Sequence, residues 1–302
     1  MPDEKSAKRW AIENGLVPRT KRCLKHDKVM KWNDGHHFGT FRCRGSVKGR
    51  SFDHSIAAAS NTWFERIRCS IRQRIIITYC FTKGFSYSQT MDEAQILETL
   101  VSPETITDCF NYCREVCMLS LDRHYAESGQ IGGPNVVVEI DECKIGRRKY
   151  NRGRIVEGHW ILGMIERGGA GYRLEICPDG NRSASTLISL IKKHVIPGTE
   201  IHTDLWKGYL SLSDHGYKHF TVNHSENFVD PNSGAYTQNI ESSWRWMRRK
   251  LARGGVRTRL DYHLCEFLWR RKNIKENRCL FVALLDDIKH VYAGVAEEID
   301  PE

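Results

Sequence analysis

The chain has 302 residues, of which 40% are hydrophobic and 27% charged; this composition is typical of a globular protein and excludes a disordered or collagen-like chain. The sequence holds 46 Lys and Arg against 37 Asp and Glu, which gives a formal net charge of +9 and favours a polyanionic partner over an acidic small molecule. No stretch approaches the roughly 20 apolar residues that span a bilayer, so we expect no membrane partner.

The positive charge is concentrated near the beginning of the chain. Residues 1–54 hold 13 Lys and Arg against 6 Asp and Glu, residues 55–136 hold 7 against 9, and residues 137–302 hold 26 against 22. We therefore expect a basic module that contacts nucleic acid, joined to a more neutral body; a solvated basic tail is the alternative. The first residues lack the apolar core of a signal peptide and the 11 cysteines are odd in number, so we expect an intracellular protein with reduced thiols.

Residues 20–54 alternate short aromatic or apolar pairs with Gly and Asp, which is typical of small β-hairpins, with one turn at Asn33-Asp34-Gly35. Cys23 and His26 have the spacing of a zinc knuckle, and Cys43 follows the predicted turn. A structural zinc site needs a fourth ligand, which would be one of three histidines: His36, His37 or His54. None of the three has the knuckle spacing from Cys43, so a zinc site and a set of unligated side chains are both open interpretations.

The next segment has the 3.6-residue period of amphipathic helices. We predict helices from Asn61 to Gly84, from Asp92 to Leu100, and from Ser102 onwards, where Ser102 is the N-cap and Pro103 the first helical residue. Three helices with a short turn before the last suggest a helix-turn-helix. In the third helix a cysteine recurs every four residues beside apolar positions, which indicates a buried face rather than metal ligands: Cys109, Cys113 and Cys117.

From residue 135 onwards the pattern changes to strands separated by turns. We predict a first strand over residues 135–140 that delivers Asp141 and Glu142 at its end. The elements predicted after it are strands His159–Glu166 and Tyr172–Cys177, a helix Ser183–Val195, and a strand Glu200–Thr203 that ends on Asp204. This order opens an RNase H-like sheet, so the predicted fold class is α/β with an RNase H-like core, a mixed sheet flanked by helices.

A third carboxylate lies on a later helix, predicted over residues 236–250. Ile240, Trp244 and Met247 follow the i, i+4, i+7 rule, and Glu241 lies beside that apolar face. Basic residues on the same helix and in the turn after the first strand suit phosphate contacts: Arg245, Arg248, Arg249 and Lys250, and Arg147, Arg148, Lys149, Arg152 and Arg154.

Three carboxylates from separate elements suit phosphodiester chemistry. In-line attack is helped by two divalent cations, and Mg²⁺ prefers carboxylate oxygens while it keeps some of its waters. Taken singly, an Asp after a strand is commonly a turn residue, and an exposed helical Glu is commonly a solvated charge. The combination of Asp141, Asp204 and Glu241 is what favours a metal site.

At these residues the sequence resembles DDE transposases of the Merlin superfamily, relatives of the bacterial ISXO-type insertion-sequence transposases. The matching strings within residues 131–272 are EIDECKIGRRKYNRGRIVEGHWILGMIER, IHTDLWKGY, VNHSENFVDPNSGAYTQNIESSWR and LCEFLWRR, and weaker matches upstream are FNYCREVC and DGHHFGTFRC. The resemblance implies an RNase H-like catalytic core with Asp141, Asp204 and Glu241 as the catalytic acids and Mg²⁺ or Mn²⁺ as the cofactor. It also implies hydrolysis at the ends of an element and transfer of the freed 3′ hydroxyl into target DNA.

The chain departs from the family pattern at two places. Family members tend to have His where this chain has Tyr236, and His26 stands where a Cys is expected, so that the N-terminal ribbon is degenerate. Glu142 directly follows Asp141 and is a candidate alternative ligand, although adjacent residues of a strand point to opposite faces.

The predicted function is therefore a DNA transposase. Its expected domains are a basic, degenerate zinc-ribbon-like module (1–60), a helix-turn-helix-like DNA-binding region (61–130), an RNase H-like DDE domain (131–275), and a C-terminal helix with an acidic tail (276–302). The expected partners are double-stranded DNA and, from the family, further copies of the chain in a synaptic complex, and the expected location is the nucleus. A host-retained DNA-binding protein without transposition activity is the alternative, and an RNase H-like nuclease acting on RNA or hybrid is a third interpretation.

Overall fold

The structure is a computed structural model that describes residues 3–47, 50–95, 100–146, 158–223, 225–226, 228–251 and 259–295. The chain divides into two compact units, of which the first is Met1–Ser120 with Glu276–Glu302 and the second is Leu121–Lys275. Within the described residues, no helix has the length and apolar character needed to cross a bilayer.

Eight helices and ten strands are defined in the described part of the chain. The helices are α1 (Glu4–Glu13), α2 (Ile71–Lys83), α3 (Tyr87–Gln95), α4 (Pro103–Ser128), α5 (Ala184–His194), α6 (Gln238–Leu251), α7 (Leu260–Lys275) and α8 (Leu280–Val295). The strands are β1 (Arg22–Cys23), β2 (Lys28–Val29), β3 (Lys31–Asn33), β4 (Thr40–Val47), β5 (Arg50–Ala57), β6 (Val137–Ile145), β7 (His159–Glu166), β8 (Tyr172–Ile176), β9 (Glu200–Thr203) and β10 (Lys218–Thr221).

The N-terminal part of the first unit is built from short antiparallel strands, as the hairpin pattern predicts. β1 pairs with β2, and β3, β4 and β5 form a three-stranded sheet in that order. The loop between β3 and β4 contains the predicted turn at Asp34-Gly35. In the β4–β5 register Cys43 lies directly opposite His54, so that two potential ligands meet across the strands.

The prediction for the first long helix is wrong at its beginning. α2 begins at Ile71 rather than near Asn61, because Ser70 and Gln73 form a reciprocal capping box there. Asn61 and Arg66 have φ values of 57° and 50°, in the left-handed region that a continuous helix excludes. The helix ends at the predicted Gly84, whose φ is 71°.

The other two helices of this region differ in how well their bounds were predicted. α3 begins at Tyr87 rather than at the predicted Asp92, because the Ser86 hydroxyl accepts a hydrogen bond from the backbone N–H of Gln89 and caps the helix earlier. Residues 96–99 of the predicted helix lie outside the described residues. α4 begins at Pro103 with the Ser102 hydroxyl as cap, as predicted. The three cysteines of α4 are buried, which confirms the prediction of a packed face: Cys109, Cys113 and Cys117.

The second unit contains a five-stranded sheet in the order β10-β9-β6-β7-β8. β6, β7 and β8 are antiparallel neighbours, and β9 and β10 run parallel to β6. These strand directions and this order are those of the predicted RNase H-like core. α5 covers one face, where its apolar residues pack on Val138, Ile140, Leu162 and Met164, and α6 covers the other.

Most bounds in this unit are as predicted, but the first strand is longer. β6 continues to Ile145 because it pairs with β7 along its whole length, with Asp141 opposite Gly163. Asp141 therefore lies in the middle of a strand and not at its end. β7 and β9 have the predicted bounds, and Ser183 caps α5 as its first flanking residue.

Candidate active site

The alternation of β6 divides its side chains between two environments. Val138 and Ile140 belong to the apolar core against α5. Glu139 and Asp141 point to the opposite face, where both make hydrogen bonds with residues of α6. A strand that is otherwise apolar therefore brings two carboxylates under one helix.

Asp141 is held in position by the indole of Trp244. The Trp244 Nε1–H donates to Asp141 Oδ2 at 2.9 Å, which leaves Oδ1 as the oxygen that Trp244 does not contact. The pKa of Asp141 is raised to about 6, chiefly by burial; the negative charges of Asp204 and Glu241 contribute to the rise and the Trp244 hydrogen bond opposes it. The three sequence-predicted acids are thus close enough to act on one another electrostatically.

Asp204 and Glu241 are positioned by their own local contacts. Asp204 follows β9, and its Oδ1 accepts a hydrogen bond from the backbone N–H of Trp206 at 2.9 Å. Glu241 is an exposed residue in the first turn of α6, and its Oε1 accepts from the Thr237 hydroxyl at 3.0 Å. Both side chains keep carboxylate oxygens near the solvent-accessible edge of the sheet.

The three acids do not form a closed ligand set. In the described parts of the chain, the one group of three His, Cys, Asp or Glu side chains with ligand atoms within 4.8 Å of one another is Cys23, His26 and Cys43. The carboxylate oxygens of Asp141, Asp204 and Glu241 therefore do not all lie within 4.8 Å of one another.

Glu142 occupies the other face of the sheet, as strand alternation predicts. Its Oε1 and the hydroxyl of Tyr209 are buried and have no hydrogen-bond partner among the described residues. Burial raises the pKa of Glu142 to about 7; the nearby Tyr209 hydroxyl, although outside hydrogen-bonding geometry, opposes the rise, and the charges of Asp141 and Asp204 add to it. The Glu142 carboxyl points toward Tyr209. Glu142 is therefore less well placed than Asp141 to bind a metal ion together with Glu241.

Glu139 anchors α6, a role that the sequence interpretation missed. Its fully buried carboxylate accepts hydrogen bonds from the backbone N–H groups of Asn239 at 2.8 Å and Ile240 at 3.2 Å, and from Asn239 Nδ2 at 2.7 Å. A carboxylate at this end of a helix satisfies orphan N–H groups and complements the positive end of the helix dipole. The signal in the sequence is an acidic residue inside the apolar run Val-Val-Val-Glu-Ile.

A second set of contacts joins this anchor to β9 and to the turn before α6. Arg167 Nε donates to Glu139 Oε1 at 3.1 Å, and Arg167 Nη2 donates to the Tyr236 carbonyl at 3.0 Å and to His202 Nδ1 at 3.0 Å. The Tyr236 N–H also approaches His202 Nδ1 at 3.3 Å. Two donors converge on that nitrogen, so His202 carries its proton on Nε2 and donates it to Glu200 at 2.8 Å.

Tyr236, the first departure from the family pattern, is part of the same assembly. The Arg167 guanidinium lies 3.5 Å from the centroid of the Tyr236 ring, a cation–π contact. The aromatic side chain therefore fixes the arginine that contacts Glu139 and has a structural role at this position.

Gly163 provides the space through which Trp244 reaches Asp141. A Cβ at residue 163 would lie 2.3 Å from Trp244 Cη2 and 2.8 Å from Ile240 Cδ1. Gly163 is also the β7 residue opposite Asp141. The lack of a side chain at Gly163 thus leaves the space in which Trp244 donates its hydrogen bond to Asp141.

We expect Gly163→Ala to destabilise the second unit by about 1–3 kcal/mol, the usual cost of overpacking a filled interior. Urea unfolding of Gly163→Ala, Trp244→Phe and the double variant measures this effect. Because Phe lacks the ring atoms that would meet the new Cβ, the double variant should lose less than the two single losses added together. Simple additivity would contradict this steric interpretation.

The predicted phosphate-contacting residues are only partly within the described structure. Arg245, Arg248, Arg249 and Lys250 are exposed on α6, beyond Glu241. The basic turn lies outside the described residues: Arg147, Arg148, Lys149, Arg152 and Arg154.

The predicted zinc ligands meet in the first unit, together with one of the three candidate histidines. Cys23 Sγ lies 3.2 Å from His26 Nδ1 and 3.6 Å from His54 Nδ1, and Cys43 Sγ lies 3.7 Å from His26 Nδ1. The other two candidates, His36 and His37, instead contact each other with their ring centroids 4.1 Å apart. His54 is therefore the fourth side chain that this geometry favours.

The strand order of the second unit defines an RNase H-like domain, with acids on two neighbouring strands and on the helix across them. Residues 131–272, slightly under half of the chain, match the family model of the ISXO2-like transposase domain. A Haemophilus influenzae protein described as an uncharacterized transposase-like protein is 28% identical over 95 residues, which are 31% of this chain and 76% of that protein. These two matches support a transposase of the DDE type.

Two solved structures are also similar to parts of the chain. The catalytic core domain of BIV integrase has 13% identity and a TM-score of 0.30, and the match covers 47% of this chain and 85% of the integrase chain. The Mos1 transposase paired-end complex with the left transposon end has 12% identity and a TM-score of 0.23, with 76% of this chain and 80% of the Mos1 chain covered.

Proposed function

We propose that the chain is a DNA transposase that binds the ends of its element, hydrolyses the DNA backbone and transfers the freed strand into target DNA. The proposed catalytic and metal-binding residues are Asp141, Asp204 and Glu241, with Mg²⁺ or Mn²⁺ as the cofactor. The observation that carries the proposal is the partly buried Asp141 carboxyl of β6, held by Trp244 of α6, with Asp204 directly after the neighbouring strand β9 and Glu241 on α6; the charges of both act on Asp141. The ISXO2-like domain match over the same residues supports it.

The donor set fits a hard divalent cation. All three side chains offer carboxylate oxygens, the ligands that Mg²⁺ prefers. Their mutual repulsion and the burial of Asp141 both disfavour three negative charges, a cost that a bound cation would offset. Two such ions, when bound, would assist the attacking and the leaving oxygen of an in-line displacement.

The protein groups around these acids have positioning roles in the proposal. Trp244 fixes one oxygen of Asp141 through its indole N–H, and Glu139 fixes the turn of α6 that carries Glu241. The basic residues of α6 would contact phosphates on either side of the scissile bond: Arg245, Arg248, Arg249 and Lys250. The basic turn that lies outside the described residues has the same proposed role: Arg147, Arg148, Lys149, Arg152 and Arg154.

The experiment is a nicking and binding assay on labelled DNA that carries the element's own terminal repeats. The wild-type protein should nick this DNA in Mg²⁺ or Mn²⁺ and stop when EDTA removes the metal. An Asp204→Asn variant should bind the same DNA without nicking it. Wild-type binding without any nicking would favour the alternative, a host-retained DNA-binding protein, and equal nicking by the variant would refute the assignment of Asp204.

Residues 1–130, most of which belong to the first unit, have the proposed role of recognising the element ends. We assign residues 1–60 to a zinc-ribbon-like module and residues 61–130 to a helix-turn-helix-like region, both contacting double-stranded DNA. The expected S···N separation in a tetrahedral zinc site is about 3.6 Å, from Zn–S and Zn–N bonds of about 2.3 and 2.0 Å. The distances of 3.6 and 3.7 Å from Cys23 to His54 and from Cys43 to His26 agree with it, whereas the 3.2 Å from Cys23 to His26 is shorter. The ligand atoms of Cys23, His26 and Cys43 all lie within 4.8 Å of one another, so we propose these three as zinc ligands and His54 as the fourth.

We expect the full-length chain to copurify with one zinc ion, and His54→Ala to reduce its zinc content and lower its Tm. Element analysis by mass spectrometry and a thermal melt measure both effects. His36→Ala is the matched control, because that histidine contacts His37 rather than the cysteines. Equal zinc contents in the two variants would exclude His54 as the fourth ligand.

Two wider proposals follow from the transposase function. The chain should form a homo-oligomer on paired element ends, which light scattering of the protein with end DNA would detect as a mass of two or more copies.

A fluorescent fusion expressed in cells with a nucleus should accumulate there; uniform fluorescence would contradict nuclear residence.

A further inference from the structure

A pocket of about 500 Å³ lies within the first unit and is lined by none of the three acids. Its wall carries the aromatic rings of Trp63, Tyr112 and Tyr292. Three arginines also line it, against two carboxylates, which are Arg66, Arg68 and Arg74 against Glu65 and Asp108. A space of this size with aromatic walls and convergent positive groups has the character of a small-molecule site.

Arg74 is the feature of the pocket that needs an explanation. It is 6% exposed, and its guanidinium lies 4.1 Å from the Trp63 ring centroid and 5.4 Å from that of Tyr112. In the described residues no carboxylate forms an ion pair with it, and its Nε is buried without a hydrogen-bond partner. A buried charge without a counter-ion is costly unless a further group neutralises it.

The other described neighbours of Arg74 do not include a carboxylate that would neutralise its charge. Arg74 lies beside the thiol of Cys109, where burial opposes ionisation but a hydrogen bond from Cys113 and the Arg74 charge lower the pKa of Cys109. The main-chain N–H groups at the start of α2 are already bonded to the carboxylate of Glu4. Arg74 thus lines the pocket beside a thiol and two aromatic rings, with no carboxylate of the described residues paired to its guanidinium.

We propose that this pocket binds a nucleotide phosphate, with the guanidinium of Arg74 on the phosphate oxygens and the half-exposed ring of Tyr112 against the base. A guanidinium presents paired donors that match phosphate oxygens. Exposed Arg66 and Arg68 at the rim add positive charge. The nucleotide comes either from a free pool or from a DNA strand, and the site does not depend on the proposed transposase chemistry.

Isothermal titration of the full-length protein with deoxyadenosine monophosphate tests the proposal. Wild-type protein should bind it, and should bind deoxyadenosine, which lacks the phosphate, at least about 10-fold more weakly. Arg74→Met should weaken the nucleotide about 10- to 100-fold, the value of a charge-assisted contact. Arg114→Met is the matched control, since Arg114 is another buried arginine of the same unit but is hydrogen-bonded to Asn111 and does not line the pocket.

A second variant keeps the test valid if Arg74→Met does not fold. Tyr112 is 48% exposed, so Tyr112→Ala should fold normally and should weaken the nucleotide while it leaves inorganic phosphate unchanged. Thymidylyl-thymidine, which contains only a phosphodiester, distinguishes the sources: Arg74-dependent binding of it indicates a DNA strand, and binding of the monoester alone indicates a free nucleotide. Absence of wild-type binding, or equal binding by wild type and Arg74→Met, would overturn the proposal and leave the Cys109 thiolate as the counter-ion.

Discussion

Replacing Asp141 by Asn is expected to reduce metal-dependent nicking of element-end DNA at least about a thousandfold, because a neutral amide replaces a charged ligand at the centre of the proposed site. Asn preserves the size of the side chain and one oxygen, so the indole N–H of Trp244 keeps an acceptor. Binding of the same DNA should change little. Single-turnover cleavage of labelled DNA, with binding measured in parallel, separates the two effects.

The neighbouring residue provides the matched control for that experiment. Glu142→Gln changes the same charge one position along β6, on the face that points to Tyr209. We expect it to retain most of the nicking activity. If Glu142→Gln were as inactive as Asp141→Asn, the assignment of the two side chains to opposite roles would be wrong.

Stability in metal-free buffer gives an independent check on Asp141. Burial raises its folded-state pKa from 3.8 to about 6, so the fold is favoured by the protonated form, and that stability is lost as the pH rises through about 6. Asn never ionises. The Asp141→Asn variant should therefore match wild type below about pH 4 and become the more stable of the two above about pH 6, by an amount read from urea unfolding at each pH.

The second large effect is expected from Glu139→Gln, which should destabilise the second unit by about 3–5 kcal/mol, the usual cost of breaking a buried charged network. Glutamine would keep one acceptor oxygen but would place an NH₂ group among donors from Asn239, Ile240 and Arg167. Urea unfolding measures the loss. Nicking by the folded fraction should also fall, because α6 carries Glu241.

Glu200→Gln is the control for this prediction. Glu200 lies at the other end of the same network, is partly exposed, and accepts a hydrogen bond from His202 that a glutamine oxygen can still accept. Glu200→Gln should lower the free energy of unfolding by less than about 1 kcal/mol. Equal losses in the two variants would mean that Glu139 has no special part in holding the helix.

Local patterns predicted the elements whose ends are determined locally. β7 and β9 have the predicted bounds, and α4 begins where Ser102 and Pro103 indicate. β6 was predicted too short because Asp141 and Glu142 resemble turn residues, whereas pairing with β7 keeps them in the strand. The helix predicted from Asn61 had the right period, but Asn61 and Arg66 adopt backbone conformations that only the tertiary structure requires.

The three acids of the candidate site could be predicted from the sequence, but the residues that hold α6 and these acids in position could not. The family resemblance indicated Asp141, Asp204 and Glu241, and the ISXO2-like domain match covers all three. Glu139 and Gly163 act through contacts with residues of α6 that are more than 75 positions away in the chain. No local spacing predicts such pairs, although a glutamate in an apolar strand was a visible anomaly.

The two attachments of α6 have a consequence for how much the site must rearrange. Glu139 holds the helix at Asn239 and Ile240, and Asp141 holds it at Trp244. Glu241 lies between these points, so the segment that carries it cannot slide or turn against β6 without breaking one of them. The helical half of the site is therefore preorganised.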